Sequence, residues 1–264
     1  MLEIKGLKKT FRPDSNPEHN KTVLRGIDLT INDNDFITVI GSNGSGKTTL
    51  LNVIAGVHPA DEGSVVLDGQ DITRMPVEKR AKFIGRVFQD PHTGTIADLS
   101  LFENLSIASR RGQRQSPFRW ALTKKNEEAF REMLAPLGLG LENRMMDPMG
   151  SFSGGQRQSV TLLMAALSVP RLLLLDEHTA ALDPGTAAKV MELTDTIVRD
   201  MKVPTLMITH NMKDAIKYGN RLIMMAEGKI IFSIEGEEKK KLTVNDLIGK
   251  FTSLESIPDS AVLG

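Results

Sequence analysis

Gly41-Ser42-Asn43-Gly44-Ser45-Gly46-Lys47-Thr48 joins an apolar, β-branched run to a helical pattern and matches the phosphate-binding motif G-x-x-x-x-G-K-[ST]. Glycines let several backbone N–H groups converge on one phosphate, and the helix that begins near Lys47 adds its positive end. We therefore expect Lys47 to reach the β- and γ-phosphates of a nucleotide and Thr48 to offer a hydroxyl to Mg²⁺. The alternative is a glycine-rich turn before an ordinary helix, but the position between a strand and a helix favours phosphate binding.

Two carboxylates follow a second apolar run. Leu172–Leu175 is continuously apolar, as buried strands of a parallel sheet are, and Asp176 and Glu177 come directly after it. Ligands of α/β sheets bind at the carboxyl ends of the strands. We therefore expect Asp176 to hold Mg²⁺ and Glu177 to polarise an attacking water. The alternative is that one carboxylate only caps the following helix.

Ser153-Gly154-Gly155-Gln156 opens a predicted helix over Gly154–Leu167 and is a second anion-binding helix N-terminus. One nucleotide does not need two such ends from one chain. Two chains arranged head to tail would each present Ser153 and Gly154 to the γ-phosphate held by the other. Taken alone, the stretch is also compatible with an ordinary cap between a loop and a helix.

The order of the elements predicts the fold class. Strand patterns alternate with helical patterns, which indicates a doubly wound α/β core. The strand patterns are Leu24–Ile31, Phe36–Ile40, Val65–Leu67, Ile84–Phe88, Leu172–Leu175 and Thr205–Thr209. Residues 91–165 carry little strand signal and are predicted as a helical insertion. Residues 2–31 and 221–235 alternate more and are predicted to form a small antiparallel sheet on the flank.

The composition excludes several classes of protein. The 264 residues are 40% hydrophobic, which suits a globular chain with a sizeable core. Lys and Arg (33) balance Asp and Glu (33), so we expect no nucleic-acid partner bound through a large basic surface. The chain has no cysteine, which excludes disulfides and thiolate metal sites. Its longest apolar run, residues 162–167, is far shorter than the ~20 residues that span a bilayer.

Taken together, the three motifs resemble those of the ATP-binding-cassette ATPases, and the resemblance covers about residues 2–235. It implies ATP and Mg²⁺ as cofactors. It also implies an α/β fold with a P-loop NTPase core and parallel sheet, a flanking antiparallel β-subdomain and an inserted helical subdomain. We place the core with its β flank at residues 1–90 and 166–235, the helical signature subdomain at 91–165, and a short C-terminal extension at 236–264.

The resemblance assigns roles to four residues outside the three motifs. Gln89 is similar to the glutamine that contacts Mg²⁺ and the water and hinges the helical subdomain. His210 is similar to the switch histidine at the γ-phosphate. Asp183 is similar to a dimer-contacting aspartate, and Phe11 to an aromatic residue that stacks on adenine. The alternatives are a surface turn for Gln89 and a core position for His210 or Phe11.

The predicted functional residues form three groups: catalytic residues, metal ligands and nucleotide contacts. The catalytic set is Lys47, Gln89, Glu177 and His210. The metal ligands are Thr48, Gln89 and Asp176. The nucleotide contacts, counting those of a second copy, are Phe11, Gly41, Ser42, Asn43, Gly44, Ser45, Gly46, Lys47, Thr48, Thr49, Ser153, Gly154, Gly155, Gln156 and Asp183.

Two departures from the family pattern stand near these sites. His178 follows the catalytic carboxylate where the family more often has proline. One imidazole beside oxygen ligands does not suit a transition metal, so we interpret His178 as a supporting or packing residue. Phe152 replaces the usual leucine before Ser153 and keeps an apolar anchor. Neither departure removes a catalytic group, so we expect an active ATPase.

The resemblance implies the energising subunit of a bacterial transporter. We expect a homodimer at the cytoplasmic face of the membrane, peripheral, held by integral-membrane permease subunits and served indirectly by an extracytoplasmic solute-binding protein. Import is favoured because many exporters carry their membrane segments in the same chain. The sequence is also similar to ATPase components whose binding-protein partners are assigned to amino acids such as tryptophan. A locally basic stretch, Arg110–Lys125 with Trp120, is either a surface near lipid headgroups or a solvated face.

The alternative functions are a separate-subunit exporter and a non-transport ATPase. A separate-subunit exporter is compatible with every motif. A non-transport ATPase of the repair or chromosome type would insert a long coiled coil between the phosphate loop and the signature, whereas Ser153 follows Thr48 by only 105 positions without sustained heptads. Ribosome-acting types carry two cassettes, and this chain has one phosphate loop. The sequence therefore favours transport.

Overall fold

The computed structural model describes residues 1–14, 16–112 and 123–255. Its strands are β1 (Leu2–Phe11), β2 (Lys21–Ile31), β3 (Phe36–Gly41), β4 (Glu62–Leu67), β5 (Gln70–Asp71), β6 (Ile84–Val87), β7 (Leu172–Asp176), β8 (Thr205–Ile208), β9 (Arg221–Ala226) and β10 (Lys229–Glu235). Its helices are α1 (Lys47–Ala55), α2 (Val77–Arg80), α3 (Leu101–Ser109), α4 (Lys124–Leu134), α5 (Gly154–Ala166), α6 (Pro184–Met201), α7 (Met212–Lys217), α8 (Gly236–Lys240) and α9 (Val244–Glu255). The chain divides into two compact units, one formed by residues 1–76 and the segment from Pro204 on, the other by Val77–Val203.

The first unit contains a four-stranded antiparallel sheet in the order β2-β1-β4-β5. Leu2 of β1 pairs with Ile31 of β2 on one side and with Leu67 of β4 on the other. Leu2 and Leu7 are fully buried, whereas their polar neighbours on β1 face outward, as a half-buried sheet requires. The antiparallel sheet predicted for residues 2–31 is confirmed.

The same unit contains a second set of strands in the order β10-β9-β3-β8. Strand β3 is parallel to both β8 and β9, and β10 is antiparallel to β9. The prediction that residues 221–235 belong to the flanking sheet is therefore wrong. The reason is that Leu222–Met225 is buried on both faces, and such a continuous apolar run pairs in the interior, beside the parallel strands.

Helix α1 follows the phosphate motif as the sequence predicts. Leu50, Leu51 and Ile54 repeat at helical spacing and are fully buried. Gly56 ends the helix in the left-handed conformation, with a φ of 84°, and its N–H bonds back to the carbonyls of the last turn. The burial of one face holds the start of α1 in place at the end of β3.

The second unit pairs β6 with β7 in parallel and adds a helical part with its own core. Buried residues of α3, α4 and α5 form this core, together with the turns that precede α5: Leu101, Phe102, Leu105, Phe130, Leu134, Leu141, Met145, Met149, Phe152, Val160 and Leu163. Helix α3 was not predicted from the sequence. A signal was present, because Ser100 and Glu103 have the spacing of a capping box and make its reciprocal hydrogen bonds.

The residues after β10 pack within the first unit. Leu247 of α9 is fully buried in a cluster with Ala215 of α7 and Leu222 and Met224 of β9. Lys239 of α8 is buried as well, and its ammonium donates to the carbonyl of Gly219 at 2.8 Å and to that of Tyr218. None of the helices described by the structure is long and apolar enough to cross a membrane.

Candidate functional site

The phosphate loop lies between β3 and α1. Gly44 and Gly46 adopt positive φ values of 82° and 100°, which a residue with a Cβ rarely takes. A Cβ on Gly41 would lie 2.3 Å from the carbonyl oxygen of Met225, so the close approach of β9 also requires glycine there. The Lys47 ammonium donates to the carbonyls of Gly41 and Ser42 at 2.8 and 2.9 Å, which keeps the charge inside the loop.

A second feature of the phosphate loop, the Ser45 hydroxyl, also suits a bound phosphate. The hydroxyl of Ser45 is buried and has no hydrogen-bond partner among the described residues. A buried polar atom without a partner is rare in a native fold and marks a place where a ligand completes the hydrogen bonding. Ser42, Asn43 and Thr48 are exposed at the surface of the same turn, and Thr49 is half-buried. The predicted phosphate contacts therefore lie together on one turn of the chain.

His210 lies at the same edge of the sheet as the phosphate loop. Val39 of β3 is in register with Ile208 of the parallel strand β8, so both strands deliver the residues that follow them to the same end. His210 is exposed, and the alternative of a core histidine is wrong. Within the first unit, the structure thus brings the predicted switch histidine and the phosphate motif to a common edge.

Phe11 is the last residue of β1, and its side chain is half-buried. Its ring meets the ring of His58 edge to face, with 5.1 Å between centroids and an interplanar angle of 87°, and the Lys9 ammonium lies 5.6 Å from it. Phe11 does not belong to the buried core of the unit, so the alternative of a core position does not hold. Stacking of Phe11 on adenine stays a prediction.

In the second unit, the carboxylates and Gln89 meet at one edge. Val87 of β6 is in register with Leu175 of β7, so Gln89 and Glu177 follow neighbouring parallel strands at the same end. Asp176 is buried at the last position of β7, whereas Gln89 is exposed and Glu177 is half-buried. Gln89 lies at a bend of the surface, so its hinge role and the surface-turn alternative are both compatible with its position.

Arg86 is a neighbour of this edge that the sequence analysis missed. Its guanidinium lies 3.5 Å from the Asp176 carboxylate and stacks at 4.5 Å over the ring of Phe88. Burial lowers the pKa of Arg86, and the Asp176 carboxylate opposes that shift. A signal was present, because Arg86 is the one charged residue within an otherwise buried strand.

Thr48, Gln89 and Asp176 fit Mg²⁺ rather than a transition metal. Among the residues that the structure describes, no three His, Asp or Glu side chains are grouped so that they could hold a metal ion. A hydroxyl, an amide and one carboxylate are oxygen ligands of the kind that Mg²⁺ takes when phosphates and waters supply the rest. The chemistry of each of these side chains therefore suits magnesium, and their joint binding of the ion stays a prediction.

The Ser153 segment caps α5. The Ser153 hydroxyl accepts the Gln156 N–H at 3.3 Å, and the Gln156 side chain accepts the Ser153 N–H at 3.1 Å, so the two form a capping box. Ser153 and Gly154 are exposed, and Phe152 is buried behind them as the predicted apolar anchor. Gly155 is buried against Thr186 of α6, which requires glycine at that position.

Asp183 lies at the start of the neighbouring helix. Its carboxylate accepts the Thr186 N–H at 3.0 Å and caps α6, and hydrogen bonding by Thr186 lowers the pKa of Asp183. Gly154 is close to this turn, because a Cβ added to it would lie 3.5 Å from Leu182. The structure thus brings Ser153, Gly154 and Asp183 to adjoining helix starts within the second unit.

His178 is buried next to Glu177. Its Nε2 atom lies 2.9 Å from the Thr194 hydroxyl of α6. Burial lowers the pKa of His178 to about 4, so the imidazole is neutral near pH 7. This agrees with its interpretation as a supporting residue.

The basic stretch is only partly described. Arg111 is half-buried, and its guanidinium donates to the carbonyl of Ala165 and the hydroxyl of Ser168 near the end of α5. Arg111 is thus bonded to the end of α5. Arg114, Arg119 and Trp120 lie outside the described residues.

The family follows from comparison with known proteins. Residues 24–180 match the family model described as ABC transporter. The chain is 43% identical over 251 residues to the tyrosine transport ATP-binding protein of Clostridioides difficile (strain R20291), covering 95% of this chain and 98% of that protein. It is 32% identical over 266 residues to the spermidine/putrescine import ATP-binding protein PotA of Haemophilus ducreyi (strain 35000HP / ATCC 700724), covering 97% of this chain but only 65% of that protein.

A solved structure gives the same result. The dimeric structure of a post-hydrolysis state of the ATP-binding cassette MJ0796, bound to ADP and Pi, matches with a TM-score of 0.73 and 27% identity, covering 89% of this chain and 98% of that one. The resemblance to ATP-binding-cassette ATPases and the predicted α/β fold with an antiparallel subdomain are confirmed. The chain therefore belongs to the ABC transporter family and is an ATP-binding ATPase of that family.

Proposed function

We propose that the chain is the ATP-hydrolysing subunit of a bacterial importer and acts as a homodimer on a separate membrane permease. The observation that carries the proposal is that one chain has two helix starts suited to anions, at Lys47 and at Gly154. One γ-phosphate held by one chain needs only the first. A second copy arranged head to tail uses the other, and the dimeric state of MJ0796 with ADP and Pi supports a pairing of two copies.

Nucleotide binding is assigned to the first helix start. The backbone N–H groups of Gly41–Thr48 and the Lys47 ammonium bind the phosphates, and the Ser45 hydroxyl gains a partner there. Phe11 stacks on the adenine. Thr48, Gln89 and Asp176 would hold Mg²⁺, which would supply positive charge next to the β- and γ-phosphates.

Hydrolysis is assigned to Glu177 and His210. Glu177 accepts a proton from the attacking water. Its backbone has a positive φ of 49°, a strained conformation of the kind that clusters at active sites. His210 contacts the γ-phosphate, and Lys47 offsets the charge that develops on it. Loss of one such group in comparable sites lowers the rate by about two orders of magnitude.

Coupling is assigned to the helical part of the second unit. Gln89 follows β6, and the segment Pro91–Glu103 leads from there into the first turn of α3. We propose that this segment contacts the permease, and that the chain is divided into a core (1–90 and 166–235), a helical subdomain (91–165) and an extension (236–264). Attachment through a permease would place the protein at the cytoplasmic face of the membrane.

Cross-linking between two single-cysteine variants tests the head-to-tail dimer. The chain has no native cysteine, so Asn43→Cys and Ser153→Cys can be made in a Glu177→Gln background without further changes. The two variants are mixed with ATP and treated with a short bismaleimide reagent. We expect a linked dimer in the mixture and none in either variant alone or without ATP.

The control is a mixture in which Ser153→Cys is replaced by Ser109→Cys, at the last residue of α3. A linked product in each single variant, or none in the mixture while ATP binding is intact, contradicts the head-to-tail arrangement.

The solute class is proposed from the relatives. The more similar relative is named for tyrosine transport, and the less similar one for spermidine and putrescine import. We propose an amino acid as the transported solute. The test is to purify the ATPase with its permease, identify the solute-binding protein that serves them, and measure its affinity for tyrosine, tryptophan and spermidine by calorimetry. Selective binding of spermidine would overturn the amino-acid assignment, and outward transport by vesicles would overturn import.

A further inference from the structure

His178 directly follows Glu177, and its side chain is 2% exposed within the second unit. Its Nε2 atom lies 2.9 Å from the hydroxyl oxygen of Thr194, a fully buried residue of α6. The proposed hydrolysis mechanism assigns neither a proton transfer nor a nucleotide contact to this imidazole. Buried polar side chains are normally hydrogen-bonded, and here the bond joins the residue after the proposed base to α6.

The direction of this hydrogen bond is determined by the second bond of Thr194. The Thr194 hydroxyl also lies 2.8 Å from the carbonyl oxygen of Val190, which can only accept. Since a hydroxyl has one hydrogen, Thr194 donates it to Val190 and accepts from His178. The imidazole therefore carries its proton on Nε2, and the ring is held in one orientation by the body of α6.

The segment around His178 is short and bonded at several points. The Ala180 N–H donates to the Glu177 carbonyl at 2.9 Å, and the Leu182 N–H donates to the Thr179 carbonyl at 3.2 Å. Asp183 then caps α6, eleven positions before Thr194. The segment between β7 and α6 is thus held by hydrogen bonds at three points. These are the Glu177 carbonyl, the Asp183 cap of α6, and the His178 side chain, which bonds to Thr194 in the third turn of α6.

We propose that His178 is a positioning residue, whose hydrogen bond to Thr194 holds the Glu177 backbone so that its carboxylate meets the attacking water. The inference rests on the proposed function, which makes Glu177 the base. Proline, which the family more often has here, would restrict the backbone by its ring; His178 restricts it by a side-chain anchor. A displacement of about 1 Å at a reacting group is enough to lower a rate by about a hundredfold.

Substitutions that remove either the donor or the acceptor of the His178–Thr194 hydrogen bond test the proposal. His178→Phe keeps a planar ring without the donor, and Thr194→Val keeps the shape without the acceptor. We expect each to lower kcat for ATP at least tenfold while the Kd for ATP changes less than twofold. The double variant should be no slower than the slower single variant, because both changes remove one interaction.

Conservative variants and a matched control separate positioning from a loss of fold. Thr194→Ser keeps the hydroxyl, and His178→Gln keeps an Nε2 donor, so both should recover most of kcat. Thr196→Val removes a similar hydroxyl-to-carbonyl bond of α6 to Glu192, and this exposed change should leave kcat unchanged. Unfolding midpoints identify variants whose fold is affected.

The outcomes distinguish this inference from the proposed function. If Glu177→Gln hydrolyses ATP at the wild-type rate, the role of Glu177 as base is wrong. If Glu177→Gln is inactive while folded His178→Phe and Thr194→Val keep wild-type kcat, the positioning role of His178 is wrong. The same holds if Thr194→Ser is as slow as Thr194→Val, or if kcat and ATP affinity fall in parallel.

Discussion

Gly155 of α5 lies so close to Thr186 of α6 that a Cβ added to the glycine would be 2.0 Å from the Thr186 methyl group. The first turns of the two helices are therefore in direct contact. Ser153 begins one of these turns and Asp183 the other. Ser153 and Asp183, which are both predicted to contact a partner copy, thus lie on two helix starts that pack directly against each other.

Gly155→Ala should destabilise the second unit. The new methyl group overlaps Thr186, and overpacking of this kind costs about 1–3 kcal/mol. Gly154→Ala is the matched control, because its Cβ would meet only Leu182 at an ordinary 3.5 Å. Urea unfolding of both variants checks the prediction, and equal midpoints would contradict the close contact.

Lys47→Ala should abolish measurable ATP binding. The change removes the only side-chain charge held inside the phosphate loop and also the two hydrogen bonds to Gly41 and Ser42. Calorimetric titration with ATP measures the loss, and the exposed Lys213→Ala should bind as the wild type does. Unchanged affinity in Lys47→Ala would count against the phosphate loop.

Glu177→Gln should bind ATP but hydrolyse it at least a hundredfold more slowly. The amide cannot accept the proton of the attacking water, whereas the phosphate loop is untouched. The bound nucleotide should then keep two copies together, which size-exclusion chromatography with ATP detects. Glu192→Gln, an exposed carboxylate of α6, is the control and should retain wild-type turnover.

The stability of the protein should fall as the pH is lowered from about 6.5 towards 4, in part through His178. Burial lowers the pKa of His178 to about 4, while the unfolded chain has the ordinary value near 6.5. Between these values the unfolded state binds a proton that the folded state does not, so acid favours unfolding, by about 1 kcal/mol at pH 5.5. His178→Gln should show a smaller loss of stability between pH 7 and 5.5 in urea unfolding; an identical loss would contradict the assignment.

Lys239→Met should destabilise the first unit by about 1–3 kcal/mol. The buried ammonium donates to the Tyr218 and Gly219 carbonyls, and removing it leaves two acceptors at the end of α7 without that donor. Lys240→Met is the control, because the Lys240–Glu237 pair is exposed and contributes little. Thermal unfolding measures both, and equal Tm values would mean that Lys239 does not stabilise the packing of α8.

Local patterns predicted much of this protein. The phosphate motif, the apolar run before Asp176 and the cap at Ser153 each depend on interactions within a few residues, and all three have the expected local structure. Helix α3 was missed although its capping box was present, because a short helix of moderate amphipathicity resembles an irregular loop.

The sequence by itself determined the family, the phosphate loop and the order of strands and helices, because glycine spacing, capping residues and hydrophobic periodicity act over a few positions. Only the tertiary structure decided that β9 pairs with β3, that Thr194 holds His178 and that Thr186 packs on Gly155. These contacts join residues 16 to 184 positions apart, and their partners depend on which surfaces pack together rather than on any local pattern.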